Sequence, residues 1–231
     1  MLRKIPVFNC ASVVFIYNDA NLTEILIQQK DKGLPNIFGQ NEALCPFGGN
    51  WFDPEAKKDL GPFDTLRREI IEELSFREGE GFSSDIAKKW NFVTEAILDG
   101  LRQYKTALVE TSTSVLDMMP GNKKTGFITR VAYFTCILDE DVWKKLKQVQ
   151  KAVGNLSNEG ASRILTNQEI VENKMRVAFG HDQMLKRFLL EKNCCVEDME
   201  MYPNPVIQEI DWLDTYNEIL EQFEIEKTPH N

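Results

Sequence analysis

Residues 67-RREIIEELSF-76 bring an arginine and three glutamates, Arg68, Glu69, Glu72 and Glu73, into six consecutive positions. On a helix turning about 100° per residue, with Glu69 at 0°, Glu73 falls near +40° and Glu72 near −60°. The three carboxylates then share an arc of roughly 100°. Like charges three and four residues apart on a helix repel by a few tenths of a kcal/mol per pair, so something must offset them. Arg68 precedes Glu72 by four residues, the spacing of a helical ion pair. Clustered carboxylate oxygens also suit a hard dication such as Mg²⁺, which keeps positions open for water and phosphate. The plainer alternative is a solvated helix face rich in glutamate. On the same wheel Phe63, Leu66, Ile70, Ile71 and Leu74 occupy about +60° to +200°. The carboxylate stripe thus borders an apolar flank, as it would at the rim of a cleft.

The elements that must position this helix follow from the rest of the chain. Residues 10-CASVVFIY-17 are apolar and β-branched, end at Asn18-Asp19, and predict a buried strand. The alternating stretch 24-EILIQQK-30 predicts its hairpin partner. A loop over 31–42 leads to 43-ALCPFGG-49, and the polar residues 50–62 form another loop. Pro62 suits the first turn of a helix running to about Phe76. Residues 92-FVTEAIL-98, 104-YKTALVETS-112 and 127-FITRVAYFTCIL-138 read as strands, the last two separated by a turn at 120-PGNKKTG-126. Val142, Leu146, Val149 and Val153 lie on one stripe of a helix over 140–153. A short strand near Ser162–Leu165 and a helix over 178–192 follow, the helix with Met184, Leu185, Phe188 and Leu189 inward. In the acidic tail, Ile210, Leu213, Tyr216, Leu220 and Phe223 have helical spacing, so residues 207–226 predict an amphipathic helix that docks on the body, with docking on a partner as the alternative.

The chain has 231 residues, 42% of them hydrophobic and 27% charged, which matches one elaborated globular domain. A net charge of −9 argues against nucleic acid and anionic membrane as partners, while a bound cation would still admit an anionic small molecule. No apolar run reaches the roughly 18 residues of a membrane helix. The basic and apolar N-terminus is interrupted by Asn9 and reads as a first strand rather than a signal peptide. Five cysteines, none in C-x-x-C spacing, fit a reducing, cytoplasmic setting. Cys45 and Cys136 sit in apolar runs and read as buried thiols. The adjacent pair Cys194-Cys195 is a possible redox site, and ordinary thiols are the default.

With the helix and its surroundings in view, the sequence resembles the Nudix hydrolase family, whose signature is G-x5-E-x7-R-E-U-x-E-E-x-G-U, with U a bulky apolar residue. Residues 68-REIIEELSF-76 match its second half except at Ser75, where the family has glycine. Upstream, Gly49 and Glu55 match G-x5-E, but residues 56–67 make twelve intervening positions where the pattern has seven. The resemblance covers about residues 8 to 192. It implies an α/β (α+β) fold, a Nudix-like α/β/α sandwich with a mixed β-sheet. Residues 1–192 would form the hydrolase domain, and 193–231 an acidic helical C-terminal extension.

The resemblance also implies a function: hydrolysis of a pyrophosphate bond in a nucleoside diphosphate derivative, such as ADP-ribose, another nucleotide sugar or a dinucleoside polyphosphate. Mg²⁺ or Mn²⁺ would be the cofactor. Glu69, Glu72, Glu73 and the Gly49 carbonyl are the implied metal ligands, Glu69 serving as ligand or as base toward water. Arg68 would fix a carboxylate rotamer. Because a metal-loaded carboxylate is a poor base, a further acid is sought among Glu110, Asp139, Glu140 and Glu169. Glu169 in 166-TNQEI-170 has a position like that of a catalytic glutamate in some family members, although a helix-start acid is the default reading. Lys30, Trp51 and Phe52 are the substrate-binding candidates, Lys30 for phosphate and the aromatics for a base. His181 is a phosphate contact or a side chain satisfied by a neighbour. The partner expected is a small-molecule nucleotide, with a homodimer left open. Two alternatives remain: a Nudix-fold module that senses a nucleotide without cleaving it, and hydrolysis of RNA 5′ caps.

Overall fold

The computed structural model describes residues 8–19, 21–29, 43–50, 59, 61–76, 81–111, 127–158, 160–199 and 206–210. Strand β1, Phe8–Asn18, is its spine. Val14 and Ile16 face one core while Val13, Phe15 and Tyr17 face the other. A strand covered on both faces has no polar side, which explains its unbroken apolar run. Along one edge β1 pairs in parallel with β6, Phe127–Leu138, from Phe8↔Ile128 to Asn18↔Leu138. Its other edge is shared. Ile16 and Tyr17 pair with β2, Glu24–Gln29, while Ala11–Val14 pair with β4, Phe47–Asn50.

With β3, Leu44–Cys45, β5, Arg102–Thr111, β7, Ala161–Thr166, and β8, Val206–Ile210, these strands make one eight-stranded mixed sheet. Its main path runs β3-β2-β1-β6-β5-β8, with β4 beside β1 and β7 beside β2. On one face lie helices α1, Pro62–Leu74, α2, Ser84–Gly100, and α3, Glu140–Val153. Leu66, Ile70 and Leu74 of α1 share that core with Trp90 and Val93 of α2 and Leu146 of α3. On the other face the short helix α4, Asn167–Glu172, and α5, His181–Glu191, cover a second core, into which α5 sends Met184, Leu185, Phe188 and Leu189. The layers form the α/β/α sandwich expected from the sequence.

Three expectations need correction. Residues 92–98 are not a strand but part of α2, whose buried Trp90, Val93, Thr94, Ile97 and Leu98 recur at helical spacing and whose N-terminus is capped by Ser83. Reading only seven residues, with valine, threonine and isoleucine among them, concealed the period. Second, residues 206–210 are not helical: they pair antiparallel with β5, from Glu110↔Val206 to Thr106↔Ile210. The extended preference of Val206, Ile207 and Ile210, met by the free edge of β5, outweighs the helical spacing. The rest of the tail, like the loops at 31–42 and 120–126, lies outside the described residues. Third, Phe63 and Ile71 are exposed while Glu69 and Glu73 of α1 are buried, so the packed side of this helix is turned toward its carboxylates. Among the described residues, no helix is long and apolar enough to cross a membrane.

Candidate active site

The site forms where α1 meets β4. Strand β4 lies beside β1 with Gly49 opposite Ser12 and Gly48 opposite Val13. Gly48 has φ of 133°, and a Cβ there would collide with the Ser12 carbonyl. At Gly49 a Cβ would overlap the Glu69 carboxylate. The pair of glycines therefore lets a helix carrying two buried acids rest directly on strand backbone. Glu69 is 7% exposed and Glu73 1%. The Gly48 N–H donates to Glu73 Oε2 at 3.1 Å.

Arg68 organises the remaining charge. Its Nη1 donates to Glu69 Oε1 at 2.7 Å and to Glu72 Oε2 at 3.1 Å. Its Nε reaches both oxygens of Asp59 at 3.2 Å, and Nη2 donates to Asp59 Oδ2 at 2.9 Å and to the Asn50 carbonyl at 3.1 Å. Burial alone would disfavour the guanidinium charge. The hydrogen bonds to Asp59 and Glu69 outweigh it and raise the pKa above its usual value. Arg68 thus bridges the helix, the end of β4 and Asp59 while pairing with two of the three stripe carboxylates. The stripe is divided: Glu69 and Glu73 face the glycines, whereas the Glu72 side chain is half exposed on the Arg68 side.

Asp59 was missed. Nine residues before Arg68, in the loop that departs from the signature spacing, it had no helical register to mark it. Its only sequence signal was a lone acid shortly before Pro62.

The other candidates fall in several places. Glu169 is at the third position of α4 in a capping box: its Oε2 accepts from the Thr166 N–H at 2.7 Å and from Thr166 Oγ1 at 2.9 Å. Those two bonds, the backbone one first, lower its pKa. Asp139 caps α3 by accepting from the Val142 N–H at 2.8 Å, and Glu140 pairs with Lys144 at 2.8 Å. Glu110 is placed on β5 by its backbone. His181 is buried in the opposite layer, with Nδ1 at 3.1 Å from the Tyr133 hydroxyl, and burial lowers its pKa to about 3. It is a neutral core side chain satisfied by a neighbour. Cys45 and Cys136 are buried thiols, and Cys194 and Cys195 are free. Lys30, Trp51, Phe52 and Glu55 lie outside the described residues.

The residues present fit a dication of the magnesium type. Among the described residues no three His, Cys, Asp or Glu side chains converge into a cage. Mg²⁺ is commonly held by only one or two carboxylates, with water and substrate phosphate completing its octahedron. Glu69, packed in the space that a Cβ on Gly49 would invade, and Glu73, held by the Gly48 N–H, supply that donor chemistry.

No family model and no curated protein matches this chain. Among solved structures it is similar to a NUDIX hydrolase from Alicyclobacillus acidocaldarius, at 14% identity over 87% of this chain and 99% of that one, with a TM-score of 0.46. It is similar to the E. coli dihydroneopterin triphosphate pyrophosphohydrolase at 12% identity, over 83% of this chain and 99% of that one, with a TM-score of 0.45. It is also similar to the NUDIX domain of Shewanella oneidensis NrtR complexed with ADP ribose, at 12% identity over 82% and 90% of the two chains, with a TM-score of 0.42.

Proposed function

We propose that this chain is a magnesium- or manganese-dependent pyrophosphohydrolase of the Nudix type. Its substrate is a nucleoside diphosphate derivative, a nucleotide sugar such as ADP-ribose or a dinucleoside polyphosphate. The observation that carries the reading is the seating of Glu69 and Glu73 on the Gly48-Gly49 backbone, with Arg68 locked between Glu69, Glu72 and Asp59. Two buried acids on neighbouring turns are costly unless their charge is used or balanced. Arg68 balances one side of the stripe, and a cation would balance the other.

Glu73, Glu72 and the Gly49 carbonyl would hold the dication, with Glu69 as a further ligand or as the base. Bound there, the dication would neutralise phosphate oxygens and stabilise the charge of an in-line displacement. The protein's own work is positional. Arg68 fixes the Glu69 rotamer through a bond of 2.7 Å, with the carboxylate lying against Gly49. From there Glu69 takes the proton of the water that attacks one phosphorus, and the other phosphate-bearing fragment leaves. Glu169 is occupied as the acceptor of its own capping box with Thr166. Glu69→Gln and Glu73→Gln are each expected to lower kcat at least 100-fold with Mg²⁺ while the far-ultraviolet circular dichroism is kept. Full turnover by both variants would refute this ligand and base assignment.

One observation favours a second reading. Arg68 already pairs with Glu69 and Glu72 without a metal ion and eases their repulsion, so the helix is tolerable in a domain that senses a nucleotide and leaves it intact. Tight binding of a nucleoside diphosphate compound with no product released would select that reading.

A further inference from the structure

The last turn of α1 carries Glu72 and Glu73, and a helix leaves its final carbonyls without partners inside the helix. Glycine in the left-handed conformation is the usual remedy at this end. Here Ser75 is extended, with φ −71° and ψ 142°, and only its N–H turns back, donating to the Ile71 carbonyl at 3.1 Å. The other carbonyls are satisfied from outside the helix. Trp90 Nε1 and, at 3.2 Å, Thr94 Oγ1 donate to the Leu74 carbonyl. Asn158 holds the two that belong to the acidic residues: its Nδ2 donates to the Glu72 carbonyl at 2.7 Å and its N–H to the Glu73 carbonyl at 3.0 Å.

Asn158 is itself held. It sits in the turn between α3 and β7, where Asn155 Oδ1 accepts from the N–H groups of Ser157 at 3.1 Å and Ser162 at 2.7 Å. Asn155 Nδ2 donates to the Gly160 carbonyl at 2.7 Å, and Ser162 Oγ accepts from the Leu156 N–H at 2.7 Å. The turn is thus tied internally on both sides of Asn158. Its side-chain amide and its backbone N–H meet the backbone of the two consecutive residues whose side chains, on the reading above, hold the dication.

We infer that Asn158 is a positioning residue for the metal-binding turn, fixing the backbone from which Glu72 and Glu73 project. It stands in for the missing glycine cap. The inference rests on the metal-dependent reading of the site. Loss of the side-chain donor frees the Glu72 carbonyl, loosens that turn and lets the two carboxylates spread over more orientations, which weakens a cation that needs near-ideal octahedral geometry.

The test is Mn²⁺ binding to the full chain, followed by the electron paramagnetic resonance signal of free Mn²⁺, for wild type, Asn158→Ala, Asn158→Asp and Thr94→Val. Thr94 bonds the carbonyl of Leu74, which bears no ligand, and so reports on loss of a helix-end bond alone. The expected result is a Kd for Mn²⁺ raised about fivefold or more by both Asn158 variants, Asp more than Ala, since Asp sets an acceptor against a carbonyl. Thr94→Val should stay within twofold of wild type while lowering Tm. Wild-type binding that Asn158→Ala and Asn158→Asp both leave unchanged would overturn the inference and spare the metal reading. So would an affinity loss in Thr94→Val in proportion to its Tm. Absence of Mn²⁺ binding by the wild-type protein would overturn the metal reading and this inference with it.

Discussion

Asp59 shows what a single side chain contributes here. It is 3% exposed, and it takes three of the hydrogen bonds that Arg68 makes. A buried carboxylate that holds a guanidinium in this way fixes its place, and a guanidinium so placed keeps Glu69 in one rotamer. Asp59→Asn preserves shape and removes the charge. It is expected to cost about 2 kcal/mol of stability, in the range of a broken, partly buried pair, measured by urea unfolding. It should also lower kcat more than it raises KM, because Glu69 loses its fixed orientation while substrate contacts remain. Unchanged stability and turnover would show that Arg68 is held well enough by Glu69 and Glu72. At this scale the sequence was informative where residues share a helical register. Arg68 could be matched to Glu72 from spacing alone, whereas Asp59 reaches it from a loop, and loop geometry leaves no period in the sequence.

Helix α1 is the element on which the site depends, and both of its ends are unusual. Pro62 starts it without a side-chain cap, and Ser75 ends it in extended backbone. The departure from glycine at Ser75 therefore has a structural reason: Asn158, Trp90 and Thr94 already occupy the carbonyls that a left-handed cap would serve. Ser75→Gly is expected to leave turnover within tenfold of wild type and to lower stability by about 0.5–1 kcal/mol, since glycine adds freedom to the unfolded chain at a position any residue can adopt. A rise in Tm would mean that the end of the helix is strained as it stands. Helices α1 and α3 and strands β1, β2, β5, β6 and β7 were legible because each repeats its pattern over its own length. Helix α2 was not, since its period emerges only across Trp90 to Leu98 and a shorter window resembles a strand. Strand β8 was hidden for another reason: Ile210 opens a series with helix-compatible spacing, yet residues 206–210 pair with the edge of β5, a tertiary fact absent from local sequence.

At the scale of the whole molecule the two faces of the sheet have separate duties. One packs the acidic helix, and the other buries a polar pair, His181 at the start of α5 against Tyr133 of β6. His181 has its pKa lowered to about 3 by burial. The ordinary histidine value is about 6.5. Between those values the unfolded chain binds a proton that the folded chain refuses, so stability falls as pH falls through this window and is level above it. One such group contributes a slope of up to about 1.4 kcal/mol per pH unit. Urea unfolding between pH 5 and 6.5 should therefore show a shallower slope in His181→Gln than in wild type. Parallel slopes would place the proton uptake elsewhere. The layer order was legible from the alternation of strands and helices. The forked edge of β1, shared by β2 and β4, was not, because the pairing of Gly48 and Gly49 with Ser12 and Val13 is set by long-range packing.

The central claim is that this fold holds a dication against Glu72 and Glu73, with Glu69 as a further ligand or the base, in order to cut a diphosphate bridge with water. Its most direct test is mass spectrometry of products formed from nucleoside diphosphate derivatives in ¹⁸O-enriched water, with Mg²⁺ and with EDTA. The account predicts two phosphate-bearing products, one ¹⁸O on only one of them, and no turnover in EDTA. Cleavage that survives EDTA, or that leaves no ¹⁸O on either phosphate, would contradict it.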